Sequence, residues 1–229
     1  MAILGISSAT KTISVGLCDE GQILAELNIS GKQAFTEDLI VYIDEVVRQA
    51  GKKLSAVSVA SGPGSYNGLR GGLSTAKTIA QSLSIPLVEV STLESIAYNL
   101  IDLEATICAI TDAKREEFNA AFFTVSKKTL RRITKDSVMH SDKIVNLLSK
   151  VEGSLFLCGT TDAILAAIKA INPDTKIVEA SNALSISKGS NVALIGEKLL
   201  NEGKTIDVMK AAPKYSVQPN IREFKKQSL

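Results

Sequence analysis

Apolar residues run almost unbroken through "AILGIS" (2–7) and "TISVGLCD" (12–19), then loosen into the alternating "QILAELNI" (22–29). Unbroken β-branched runs predict strands buried on both faces, and alternation predicts a strand with one face in water. Glu20-Gly21 between the second and third runs predicts a tight hairpin turn. From Thr36 to Ala50 the period becomes helical: Leu39, Ile40, Ile43, Val46, Val47 and Ala50 recur on one face, and Gly51 ends the segment. A strand over 55–61, a glycine-rich turn, a helix over 67–83, a strand at "PLVEV" and a helix over 92–100 complete the first half.

The second half repeats that order. "ATICAIT" (105–111), "EFNAAFFTV" (117–125) and "LRRITKDSV" (130–138) are strand candidates, followed by a helix over 141–150. Strand "SLFLC", a helix over 162–170, strand "TKIVE" and a helix ending near Gly203 close the chain. Both halves read β-β-β-α-β-α-β-α, although no sequence identity links them. The expected class is therefore α/β, a duplicated two-lobe actin-like ATPase (ASKHA) fold with a cleft between lobes. The expected units are 1–103 and 104–229, divided near Asp102 to Glu104.

Composition narrows the picture. The 229 residues, 45% hydrophobic and 22% charged, describe a globular protein with ample core, and no apolar run approaches a membrane span. The start "MAILGISSAT" has no basic leader and reads directly into a strand. Cys18, Cys108 and Cys158 each sit inside an apolar run with no CxxC pair, the usage of a reducing cytoplasm rather than of a disulfide or zinc framework. A net charge of +2 does not by itself indicate nucleic acid, although "KKTLRR" (127–132) and "IREFKK" near the end cluster cations. A solvated hairpin turn and a solvated tail are the simpler account of both clusters.

The stretch "SGPGSYNGLRGGLSTAKTIA" (61–80) holds five glycines in its first twelve residues. A phosphate-cradling Walker loop ends in Gly-Lys-Ser/Thr, which this stretch lacks, and Arg70 falls inside the helix. Pro63-Gly64 predicts a turn, with Ser65 or Asn67 capping the helix. Leu69, Leu73, Ala76, Ala80 and Leu83 form its core stripe, and Arg70, Ser74, Lys77 and Gln81 its polar face. A third face carries Gly68, Gly72, Thr75 and Ile79 beside Gly71. Helical glycines cost about 1 kcal/mol each relative to alanine, so something must approach closely there.

Residues 60–97, "ASGPGSYNGLRGGLSTAKTIAQSLSIPLVEVSTLESIA", resemble the signature region of the TsaB family, also called YeaZ, with its GPGSFTGLR-type turn and VSSLEA-like helix start. "TDAKREEFNAAFF" (111–123) is similar to that family's DARR-x-E-V-Y-A-A stretch, and "APKYSVQPNIRE" matches more weakly. The resemblance implies a non-catalytic scaffold in bacterial synthesis of N6-threonylcarbamoyladenosine in tRNA. It implies a TsaD-like catalytic partner, a TsaE-like ATPase, contact with tRNA through the complex, and homodimer formation when alone. It also implies pairing through the first-lobe helices. The interface expected is Thr36, Glu37, Tyr42, Gly68, Gly71, Gly72, Thr75 and Ile79, while Leu39, Ile40, Ile43, Leu69, Leu73 and Ala76 serve folding. On this reading Gly72→Leu weakens pairing and leaves the lobe folded.

Independent chemistry has little residue support. Family members carry Asp-Thr where this first strand ends in Ser7-Ser8, so the acid that organises Mg²⁺ is missing. Asp112 is the second-lobe acid, read as a local ion pair with Lys114 and Arg115 before a catalytic role. The catalytic paralogue holds its metal with two histidines on its first long helix; here His140 is the only histidine, at a second-lobe helix start. No catalytic residue and no metal ligand is expected, and a peptidase triad would need that same His140. No autonomous cofactor is expected. Gly62, Gly64, Ser65, Asn67 and Asp112 are the candidate contacts for ATP or ADP held at a subunit interface. The alternative reading is an autonomous ATPase or small-molecule kinase using Asp112 and the cleft.

Overall fold

A computed structural model describes residues 1–31, 36–114, 117–151, 153–159, 164–167 and 177–216. Strands β1 (Ala2–Ser7), β2 (Thr12–Asp19), β3 (Gln22–Ser30), β4 (Leu54–Gly62) and β5 (Leu87–Ser91) form one sheet in the order β3-β2-β1-β4-β5. β2 and β3 run antiparallel to their neighbours, β4 and β5 parallel. β6 (Ala105–Lys114), β7 (Glu117–Ser126), β8 (Thr129–Arg132), β10 (Leu155–Gly159) and β11 (Ile177–Glu179) repeat that plan as β11-β10-β6-β7-β8. This is the duplicated actin-like topology, and the alternation of apolar runs and helical periods had marked most of its elements.

One expected strand is two. The segment read as continuous over 130–138 divides into β8 and β9 (Ser137–His140), both antiparallel to β7. Arg132 pairs with Phe123 and Ser137 with Ala120, so the outer segment spends two more residues than β7 between these pairs. A bulge absorbs them: the amides of Ile133 and Thr134 both donate to the Phe122 carbonyl, at 2.8 and 3.3 Å. Of the helix expected over 162–170, residues 164–167 are helical and the rest lies outside the described residues.

The helices are α1 (Leu39–Ala50), α2 (Tyr66–Leu83), α3 (Thr92–Ala97), α4 (Ser141–Leu148) and α5 (Gly189–Asn201). The last helix of each half packs on the other half's sheet. Leu93, Ile96 and Ala97 of α3 bury against Ile107, Ala109 and Phe123. Val192 and Ile195 of α5 bury against Ala60, Val88 and Val90, and Ala193 against Ile3 and Cys18. Packing units therefore cross the chain division expected between 103 and 104.

The α5 contact is unusually close. A Cβ on Gly5 would stand 2.0 Å from the Gly189 carbonyl oxygen, and one on Gly16 2.3 Å from the Ser190 nitrogen. Any side chain at those strand positions would lift the helix off the sheet. The Gly189 amide donates to Ser14 Oγ at 2.6 Å, which gives one free N–H of the helix start a buried partner.

Candidate functional site

The glycine-rich turn is closed by this chain's own backbone. Ser65 caps α2 by accepting the Gly68 amide, and its own amide donates to the Ala9 carbonyl at 2.7 Å. A Cβ on Gly64 would meet the Ala9 oxygen at 2.3 Å; one on Gly62, at φ 138°, would meet the Lys214 oxygen at 2.3 Å. The Lys214 amide in turn donates to the Ser61 carbonyl, and its ammonium pairs with Glu89 at 2.8 Å. Residues 211–216 thus strap the turn on one side while the β1–β2 connection presses on the other.

The same holds for the small-residue face of α2. Gly68 and Gly72 are buried, and added Cβ atoms would stand 1.9 Å from the Ser8 carbonyl oxygen and 2.2 Å from Ser8 Oγ. Ser8 Oγ–H donates to the Gly68 carbonyl at 2.8 Å. The expectation that these two glycines make room for a partner's helix is corrected: the occupant is Ser8, directly after β1. Thr75 and Ile79 are half-buried, Ile79 against the first-half core, and Gly71 is half-exposed. Leu83, expected in the core stripe, is 54% exposed at the helix end, just before Ser84 turns left-handed.

On the first-half helices, an adjacent pair of exposed apolar residues lies on α1 instead. Leu39, Ile43 and Val46 bury, spaced four and three residues apart, and the positions after Leu39 rotate outward. Ile40, expected to serve folding, is 56% exposed, and Val41 62%. Glu37 in the preceding 3-10 turn is exposed, whereas Tyr42 is half-buried against the core. The side chain of Thr36 lies outside the described residues.

Between the halves lies a cleft of about 1870 Å³. Gly64, Ser65, Asn67 and Asp112 line it; Gly62 does not, being buried under Lys214. Asp112 is exposed at the end of β6, and its expected partner Arg115 and the side chain of Lys114 lie outside the described residues. Tyr66 and Tyr215 stack at 4.9 Å on the cleft wall, with Arg70 Nη1 donating to the Tyr66 hydroxyl at 2.8 Å.

Ser7, where the resemblance implied an acid, is fully buried and joins the halves. Its hydroxyl donates to Ser187 Oγ at 2.8 Å, and Ser187 donates to Ser95 Oγ at 3.1 Å. Asn191 donates to the Ser95 carbonyl and to Asn99 Oδ1, and Asn99 donates to the carbonyls of Leu184 and Ile186. This network and the glycine contact under α5 were not found from the sequence. The available signal was Gly5 and Gly16 in the middle of largely apolar strands.

Among the described residues no group of three His, Cys, Asp or Glu side chains is placed to hold a metal ion. His140 occupies the N-cap position of α4 without a side-chain cap bond, 3.4 Å from Asp142. All three thiols are buried, and burial pushes Cys18 up to about 12 and Cys108 and Cys158 well above the ordinary thiol range. None is a thiolate nucleophile near neutral pH. No helix among the described residues is long and apolar enough to cross a membrane.

A family model described as "TsaD: tRNA N6-adenosine threonylcarbamoyltransferase" matches residues 22–218. The tRNA threonylcarbamoyladenosine biosynthesis protein TsaB of Bacillus subtilis (strain 168) is 32% identical over 161 residues, 69% of this chain and 70% of the relative. The protein of the same name from Escherichia coli (strain K12) is 23% identical over 221 residues, 94% of each. The solved structure of YeaZ from Pseudomonas aeruginosa matches with a TM-score of 0.80 at 18% identity, over 93% of this chain and 99% of that one. The overall fold is shared with the YeaZ structure, and this chain belongs to the TsaB (YeaZ) family.

Proposed function

We propose that this chain is the non-catalytic scaffold subunit in synthesis of tRNA N6-threonylcarbamoyladenosine, pairing with a TsaD-like catalytic subunit through the outer face of α1. The observation that carries the reading is the adjacent pair Ile40 and Val41, 56% and 62% exposed on a helix whose opposite face is core. Exposed large apolar neighbours on a well-packed helix suit a protein partner. Ser7-Ser8 supports the non-catalytic part, since neither hydroxyl supplies the carboxylate that hydrolysis needs. The TsaE-like ATPase and tRNA join the complex so formed, and any ATP or ADP is held where subunits meet.

Light scattering of this chain mixed with the TsaD-like protein of the same cell tests the pairing. The expected result is a heterodimer at micromolar concentration that Ile40→Asp/Val41→Asp weakens at least tenfold with the circular dichroism unchanged. Absence of association would end the scaffold reading. ATP turnover by the isolated chain would favour the autonomous ATPase, for which the open cleft and Asp112 supply the setting.

A further inference from the structure

We infer that the hairpin turn joining β7 to β8 is a polyanion contact through which this chain itself touches RNA. The connection is two residues, Lys127 and Lys128, closed by the pair Ser126 and Thr129. Both lysines have left-handed backbones, φ 50° and 55°. A two-residue turn with both central residues at positive φ is the type whose low-strain sequence is Asn-Gly. The duplicated fold holds its own comparison. The topologically equivalent turn in the first sheet, between β2 and β3, is Glu20-Gly21, with glycine in the second position at φ 74°. The second-sheet turn forgoes that relief and carries two cations where the first carries an anion and a glycine. Strain retained where a common substitution would remove it points to a role for the side chains.

The cations face water. Lys127, Lys128 and Arg131 are exposed. Lys128 pairs with Asp102 at 3.0 Å, with the two side chains 80% and 72% exposed, a pairing that holds it weakly. Among the described residues neither Lys127 nor Arg131 has an ion pair. Arg132 beside them differs: it lies over the Phe123 ring at 4.6 Å and pairs with Glu94 and Asp136, so it is structural. The turn sits by the Ala105 end of β6, opposite the end that lines the cleft, leaving it clear of whatever the cleft admits. With a chain-wide net charge of only +2, the contact is a local one.

This inference rests on the tRNA-modification reading only for the identity of the RNA. The test titrates a fluorescently labelled, unmodified tRNA transcript that reads an ANN codon with the isolated full chain, by anisotropy, from about 50 to 200 mM salt. Lys127→Asn/Lys128→Gly keeps the turn and relieves its strain. It is expected to melt roughly 3 °C higher yet bind about fivefold more weakly, with a salt slope shallower by about 1.5; Arg131→Gln added to it weakens binding further. Unchanged affinity and slope in a folded variant would overturn the inference. So would polyglutamate binding as tightly as tRNA with the same loss, which would make the turn a site for acidic protein. The double variant should still pair with the TsaD-like subunit. A wild-type chain that fails to pair would sink the scaffold reading and leave the RNA titration readable.

Discussion

At the residue scale, Ser8 decides what α2 is made of. Its carbonyl and hydroxyl occupy the volumes that side chains at 68 and 72 would need, so the helix accepts two glycines at about 1 kcal/mol each in propensity. Gly68→Ala regains that propensity but drives a methyl to 1.9 Å from a backbone oxygen that cannot swing aside. Overpacking of this kind costs about 1–3 kcal/mol or more, so a net loss of about 2 kcal/mol is expected, read as a fall of roughly 4–8 °C in Tm. Gly72→Leu is expected to abolish folding, because three further carbons follow the Cβ into a buried site. A folded Gly72→Leu chain defective only in pairing would instead restore the partner-helix reading of this face.

At the element scale, legibility followed periodicity. Strands β1, β2 and β4 were readable because burial on both faces leaves a nearly unbroken apolar run, and α1 and α2 because burial of one face imprints a helical period. The 130–138 segment misled because a bulge leaves hydrophobicity intact while breaking the ladder, and only the pairing with Phe122 reveals it. The candidate site was legible as a stretch but not as surfaces: spacing identified three faces of α2, but Ser8, which fills one, lies 60 residues from Gly68 and leaves no mark on the helix period. Ile40 and Leu83 illustrate the same limit, since an apolar residue about 100° from the core stripe looks like stripe in sequence. What covers α5 could not be read at all, because the fit between Gly5, Gly16 and Gly189 joins segments more than 170 residues apart. Gly189→Val is expected to cost at least 3 kcal/mol, since Val15 and Gly16 backbone atoms lie within 2.7 Å of its Cβ. Urea denaturation checks this: a midpoint within error of the parent would mean that α5 can ride higher on the sheet without loss.

At the scale of the whole molecule, the exchange of α3 and α5 ties the halves into one folding unit. The first sheet has α1 and α2 from its own half, but its other face meets α5, whose Val192, Ile195 and Ala193 arrive from beyond residue 188. A fragment ending at 103 would leave Ile3, Ala56, Ala60, Val88 and Val90 without that cover, and would expose the apolar side of α3 built to face Ile107 and Phe123. Burial of Ile3, Val88 and Val90 alone contributes roughly 4–9 kcal/mol, comparable with the whole stability of a domain. The fragment 1–103 is therefore expected to be insoluble or to lack dispersed amide resonances when expressed alone. Co-expression with 104–229 is expected to yield a soluble pair that elutes with the intact chain, because the exchanged helices can dock from separate chains once both sheets are present. A well-dispersed spectrum from 1–103 alone would show that the half is a true domain and that the crossing helices merely decorate it. The same coupling bears on the proposed scaffolding: with Ser7, Ser95 and Ser187 bonded between the halves, the α1 surface is held to the second half through α5, so a partner docking there as proposed would meet a single body.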